Sequence, residues 1–377
     1  MVDAMSVDEK IGQLFIVSIP GTGTLPPEAR TAVARLQPGA VILFGFNARG
    51  GPGELRAFTS QVQEAASGMT APILIAVDHE GGGVQRLVSG GFTRLPAPAD
   101  LGRYAVAQDL ERLGFLAAGE LSAVGVRLNL APVVERSNPQ NAVFLGTRSY
   151  SSEPEPAAKL PAAFARGMER AGVGAVYKHF PGNSSADPHK GLTVLDSAGA
   201  ELNAAYVQDF RLALRAYRPA AVMLSHVMVP ALDDGLPASL SPAVVGILRK
   251  GLRYEGIIMT DDLEMGALRQ RWPVAESSVL AILAGADMLM LSVPSSFAPA
   301  KAAVKAALES GRLAPGRLEE SCLRIVKAKL SLGLLSEADP TERQKTFSRF
   351  APAASETAKF VRGLAAKADI DGGKPAP

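Results

Sequence analysis

Eight short apolar runs recur along the chain, each separated from the next by a stretch of helical periodicity. They are Leu14–Ile19, Ala40–Gly45, Pro72–Asp78, Arg127–Val133, Val173–Tyr177, Ala221–His226, Gly256–Asp261 and Asp287–Ser292. Near-continuous apolar runs, as opposed to alternating ones, suit parallel strands buried on both faces. Between them lie helical patterns near Pro27–Leu36, Gly53–Ala66, Asp109–Val124, Glu155–Ala171 and Val274–Ala284, with a further one at about Pro299–Glu309. Ser6-Val7-Asp8-Glu9 reads as a capping box that starts a short helix ahead of the first strand. Eight alternations over roughly 300 residues point to an α/β fold, a (β/α)8 TIM-type barrel more than an open doubly wound sheet. No glycine-rich phosphate fingerprint follows the first strand, which weakens a dinucleotide-binding fold. Residues 1–335 are expected to form the barrel, and residues 336–377 a C-terminal helical and flexible tail. That tail holds one helical run, Glu356–Ala366, and a Gly/Pro-rich end, Gly372–Pro377.

Composition narrows the function classes. A hydrophobic content of 47% with 20% charged residues supports a large core and argues against wholesale disorder. The 39 Lys and Arg against 37 Asp and Glu leave a net charge of +2, so there is no electrostatic footprint for nucleic acid or an anionic membrane. The single cysteine, Cys322, excludes an internal disulfide and a Cys-rich zinc site. It sits in the helical run Leu318–Leu323 and is expected to be a small core residue. No apolar run reaches the ~18 residues of a membrane span. The opening Met1-Val2-Asp3-Ala4-Met5-Ser6 is not a basic segment followed by an apolar one. A cytoplasmic monomer is expected, with the cell envelope or export as the alternative if a leader once preceded Met1.

In a barrel of this kind the chemistry collects at the C-terminal ends of the strands. Those ends carry Asp78-His79-Glu80, Glu135, Lys178-His179, Ser225-His226 and Asp261-Asp262. All four histidines, His79, His179, His189 and His226, fall at a strand end or in the loop just after one. The richest stretch is Lys178 to His189: a basic pair closing a strand, then a loop of small residues ending Asp187-Pro188-His189. Packing alone does not explain it. The bland alternatives are helix N-capping for Asp261 or Asp262, rim hydrogen bonding for His226, and a core position for Trp272 in place of sugar stacking.

These residues resemble the β-N-acetylglucosaminidase branch of family 3 glycoside hydrolases, which trims GlcNAc from peptidoglycan fragments. Asp78-His79-Glu80-Gly81-Gly82-Gly83-Val84-Gln85-Arg86 is similar to the family's D-x-E-G-G-x-V-x-R. Gly91 to Pro96 is similar to G-F-T-x-L-P, and Gly146 to Tyr150 to G-x-R-S-Y/F. Lys178 to Gly182 reads K-H-F-P-G, and Thr260 to Met265 resembles S/T-D-D-L-x-M. The matches come in the family's order and span about residues 6 to 335. The resemblance implies that Asp261 is the nucleophile and that Asp78, Arg86, Arg148, Lys178 and His179 hold the sugar hydroxyls. It makes Asp187 and His189 an acid/base dyad, and it implies a carbohydrate substrate with neither metal nor organic cofactor.

The residue chemistry agrees. A His with a pKa near ~6.5 can both give and take a proton at neutral pH, and a neighbouring Asp fixes its tautomer. An attacking Asp must stay ionised, which a nearby Lys178 or Arg148 favours. The sequence departs from the family after the Pro, where G-H-G-D-T-x-x-D-S-H is usual. Here the loop is two residues shorter, Asn183 stands in place of the first His, and Glu135 stands where the family has Asp. A β-glucosidase, a phosphorylase or a catalytically impaired sugar-binding homologue remains open on the same fold.

Overall fold

The computed structural model describes residues 1–184, 186–197 and 199–370. Eight strands close into a barrel in chain order: β1 (Phe15–Ser18), β2 (Ala40–Leu43), β3 (Leu74–Val77), β4 (Leu128–Asn129), β5 (Gly174–Phe180), β6 (Ala221–Leu224), β7 (Ile257–Asp262) and β8 (Met288–Leu291). Every neighbouring pair is parallel, from Ile16 opposite Ala40 round to Phe15 opposite Leu289, which closes the ring. Seven of the eight strands are buried at every position, and β7 leaves burial only at Asp261 and Asp262. The apolar runs are therefore continuous because the strands face side chains inside and helices outside.

The expected helices form with small shifts of boundary. They run over Pro27–Leu36, Gly51–Ala65, Ala107–Ala123, Pro154–Arg170, Val274–Ala284 and Phe297–Glu309. Gln208–Ala216, a helix the periodicity alone does not mark, fills the crossover between β5 and β6. The fourth strand is shorter than the run Arg127–Val133 suggests. Pro132 has no N–H to give to a ladder, and the Asn129 side chain bonds the backbone N and O of His79, each at 3.0 Å. The capping box is also half formed. Ser6 Oγ accepts the Glu9 N–H at 3.1 Å, but the Glu9 carboxylate turns away to Thr70 N and Oγ1 at 2.6 and 2.9 Å.

Two small hairpins, His79–Gly81 with Val84–Gln85 and Met228–Val229 with Asp233–Pro237, follow β3 and β6 on the C-terminal face. The opposite end is closed by buried charge. Glu337 takes Arg56 at 3.0 Å and Arg127 at 2.9 Å, and Asp287 takes Arg249, Arg317 and Arg324. Beyond it, Pro340–Phe347 and Phe350–Ile370 are helices, the second lying along Ala107–Ala123. The expected run Glu356–Ala366 lies inside that last helix, and Gly372–Pro377 lies outside the described residues. Among the described residues no helix is long and apolar enough to cross a membrane. Cys322 is fully buried, and burial pushes its thiol up to about 12, so it is a core residue.

Candidate active site

Consecutive strands β3, β4 and β5 bring Asp78, Glu80, Glu135, Lys178 and His179 to one end of the barrel. Lys178 Nζ lies 2.8 Å from Asp78 Oδ1 and 2.7 Å from Glu80 Oε1. Arg148 reaches in from the loop after β4 and grips Glu80 with two parallel bonds, Nε at 2.9 Å and Nη2 at 2.8 Å. Its guanidinium also stands over the Phe144 ring at 5.6 Å. Burial works against a charged Glu80, but Lys178 and Arg148 outweigh it and pull its carboxyl down to about 2. Burial likewise opposes a charged Lys178, and Asp78 and Glu80 overcome it, so the ammonium is held above its usual range. Sugar hydroxyls donate and accept at once, so alternating carboxylates and cations suit them.

Glu135 fixes His179 and the start of the next loop together. Its Oε1 accepts His179 Nδ1–H at 2.7 Å and His179 N–H at 3.0 Å, and Asn183 gives its N–H to Oε2 at 2.7 Å and its Nδ2–H to Oε1 at 2.9 Å. With its Nδ1 proton on Glu135, His179 presents Nε2 as an acceptor to Arg148 Nη2 at 3.3 Å. The two departures from the family pattern, Glu135 and Asn183, thus bond to each other.

Asp261 and Asp262 close β7. The Asp262 N–H donates to Asp261 Oδ1 at 2.8 Å. Burial raises the cost of charge on Asp261, but His179, His226, that N–H and Lys178 more than offset it, and its carboxyl stays below the usual carboxylate range. Asp262 is the opposite case: burial first, and the Asp261 charge with it, push its carboxyl up to about 6 against the N–H groups of Ser292 and Glu264. Neither residue caps a helix, since the next one, Gly266–Arg269, is entered through Met265. His226 bonds Ser239 Oγ at 2.7 Å and the Asp262 carbonyl at 2.9 Å, which assigns the proton to Nε2. It is a rim hydrogen-bonder beside the nucleophile candidate.

His189 Nδ1 and Asp187 Oδ1 are 2.7 Å apart, and the His189 N–H adds a second bond to the same oxygen at 3.0 Å. Slight burial opposes charge on Asp187, but these bonds hold its carboxyl below the ordinary range. The pair is formed on its shorter track, with the His189 side chain 66% exposed. It does not join the Lys178 cluster. It borders instead a cleft of about 460 Å³ lined by His189, Asp262, Glu264, Met265, Gly266, Arg269 and Gln270. Ser185, within the loop, lies outside the described residues.

Arg86 is the sequence candidate the cluster leaves out. Its N–H bonds the Asp78 carbonyl at 3.1 Å, but its side chain is exposed and has no ion-pair partner among the described residues. Trp272 is buried under Arg271, whose guanidinium lies 5.0 Å from the ring, so it packs instead of facing a cleft. His79 is buried with Nδ1 unbonded, and burial pushes its imidazole down to about 3, leaving it neutral. Glu80, Glu135 and Asn183 are site residues that sequence reasoning passed over as clamps, although Glu80 and Glu135 stand at strand ends. Among the described residues no group of three or more His, Cys, Asp or Glu side chains is placed to hold a metal ion.

Residues 6–328 match the family described as the glycosyl hydrolase family 3 N terminal domain. A beta-hexosaminidase of Alkalilimnicola ehrlichii is 38% identical over 286 residues, 74% of this chain and 80% of that one. The solved family 3 beta-N-acetylglucosaminidase of a Paenibacillus strain superposes with a TM-score of 0.82 at 32% identity, over 93% of this chain and 69% of that one. The beta-glucoside phosphorylase BglX superposes with a TM-score of 0.81 at 27% identity, over 97% of this chain and 65% of that one. With eight parallel strands closed in chain order and a match over residues 6–328, the chain belongs to glycosyl hydrolase family 3 and is a glycoside hydrolase of the β-hexosaminidase kind.

Proposed function

We propose that the chain is a retaining exo-β-N-acetylglucosaminidase that removes terminal GlcNAc from peptidoglycan-derived muropeptides or chitooligosaccharides. Asp78, Lys178, Arg148 and His179 bind the sugar hydroxyls, with Arg86 reaching them from the hairpin after β3. Asp261 attacks C1 as the C1–O bond to the aglycone breaks, and His189 Nε2 gives its proton to the departing oxygen. Water then attacks C1, His189 takes the water proton, and the C1–Asp261 bond breaks with net retention. Asp187 holds the His189 tautomer and supports the imidazolium. The observation that carries this reading is the pairing of an ionised Asp261 at the end of β7 with the bonded Asp187–His189 pair on the same face.

A second reading has its own support. An exposed imidazole does not repel an anion as a carboxylate would, and one structural relative is described as a phosphorylase. In that case phosphate replaces water in the second step. Release of nitrophenol from nitrophenyl-β-GlcNAc, measured with and without phosphate, separates the two. Hydrolysis predicts free GlcNAc at a rate indifferent to phosphate, and a GlcNAc-1-phosphate product would overturn it. Binding of GlcNAc with no nitrophenol release would overturn both in favour of a sugar-binding protein.

A further inference from the structure

Among the described residues the exposed His189 side chain bonds one partner, Asp187, two residues away on the same loop. Its place over the barrel must therefore be set by the backbone. Two main-chain bonds do this: Gly266 N–H donates to the His189 carbonyl at 3.2 Å, and Ala267 N–H to the Pro188 carbonyl at 3.0 Å. Both donors belong to the segment that continues directly from Asp261. That segment is itself tied down, because Asp262 Oδ1 accepts the N–H groups of Glu264 and Ser292, each at 3.1 Å. The approach leaves no room for a side chain. A Cβ on Gly266 would lie 2.5 Å from the His189 carbonyl oxygen and 2.9 and 3.0 Å from the carbonyl carbon and oxygen of Lys190. These are backbone atoms, so no rotamer change relieves the contact. Gly266 has an ordinary helical backbone, so the need for glycine here is contact alone.

We propose that Gly266 is a positioning residue that fixes the His189–Asp187 pair relative to Asp261, an inference that rests on His189 being the acid/base. Gly266→Ala pushes the Pro188–Lys190 backbone away and shifts the imidazole from the leaving oxygen while Asp261 stays in place. Proton donation matters most for a basic leaving group and least for an acidic one. The experiment compares kcat/KM over aryl β-GlcNAc glycosides from dinitrophenyl to phenyl for wild type, Gly266→Ala, His189→Ala and Gly316→Ala. Gly316 has nothing within 4 Å of an added Cβ and serves as the control.

The expected result for Gly266→Ala is dinitrophenyl activity within a few-fold of wild type and a loss on the order of 10²-fold on the phenyl glycoside. His189→Ala bends the same way, and Gly316→Ala follows wild type. A uniform loss across the series, or none, with His189→Ala still leaving-group dependent, overturns the role of Gly266. If His189→Ala itself shows no leaving-group dependence, the acid/base assignment fails first.

Discussion

Glu80 sits between two cations, and its removal tests the electrostatics of the sugar clamp. Both Lys178 and Arg148 are held by it, and its own side chain is almost fully buried. Glu80→Gln leaves the buried Lys178 and the half-buried Arg148 short of a counter-charge, which typically costs about 3 kcal/mol. Because the folded carboxyl is pulled from 4.5 down to about 2, its stabilisation is complete above pH 4.5 and is lost as pH falls from there towards 2. Urea titrations should therefore show a wild-type advantage near neutral pH that shrinks through that window, with KM raised more than kcat. A gap that stays constant down to pH 2 would contradict the assigned charge. Little of this was legible beforehand. Glu80 could be read as a strand-end carboxylate, but Arg148 and Lys178 lie 68 and 98 residues away in the chain, and only barrel closure joins them.

At the scale of elements, the strands and most helices were legible because an apolar run buried on both faces and a 3.6-residue period leave separate marks. What escaped was set by side chains acting on backbone. Asn129 ends β4 by taking the His79 amide, and Thr70 draws Glu9 out of its capping box. The C-terminal helix was read short because its first turns, Phe350-Ala351-Pro352, contain a proline that is tolerated only near a helix start. That helix docks through Phe350, whose ring meets Phe92 edge-on at 4.9 Å, and through the buried Leu364. Phe350→Ala should cost about 3 kcal/mol of unfolding free energy, at the low end for a buried ring because Phe350 keeps some exposure. Chemical denaturation checks this. Activity of the folded fraction should change little, since the bonds that hold Glu80, Lys178 and His179 are made to one another and to Asp78, Arg148 and Glu135 and not to that helix; a loss of turnover with stability unchanged would contradict that separation.

At the scale of the molecule, the two ends of the barrel divide the work. The C-terminal face carries the clamp, the nucleophile candidate and the His189 pair, while the other end buries charge for cohesion. Lys329 belongs to that closed end. It bonds Gln13 Oε1 at 2.7 Å and the Pro72 carbonyl at 2.8 Å, and burial pushes its ammonium down to about 7. A folded value below the unfolded one means the native state prefers the neutral amine. Stability tied to Lys329 is thus greatest above pH 10.5, declines as pH falls towards about 7 and levels off below that. The swing is on the order of 5 kcal/mol. Lys329→Met should flatten that slope in urea midpoints measured across the window, and an unchanged slope would show that the amine stays charged.

The account turns on Asp261 as the atom donor to C1, and a mechanism-based label tests this most directly. A 5-fluoro N-acetylglucosaminyl fluoride forms the glycosyl-enzyme faster than it is hydrolysed, so the adduct can be digested and its peptide sequenced by mass spectrometry. The predicted result is one sugar per chain, on Asp261, with no label on Asp261→Asn. A sugar on Asp262, Glu80 or any other side chain, or full turnover by Asp261→Asn, would contradict it.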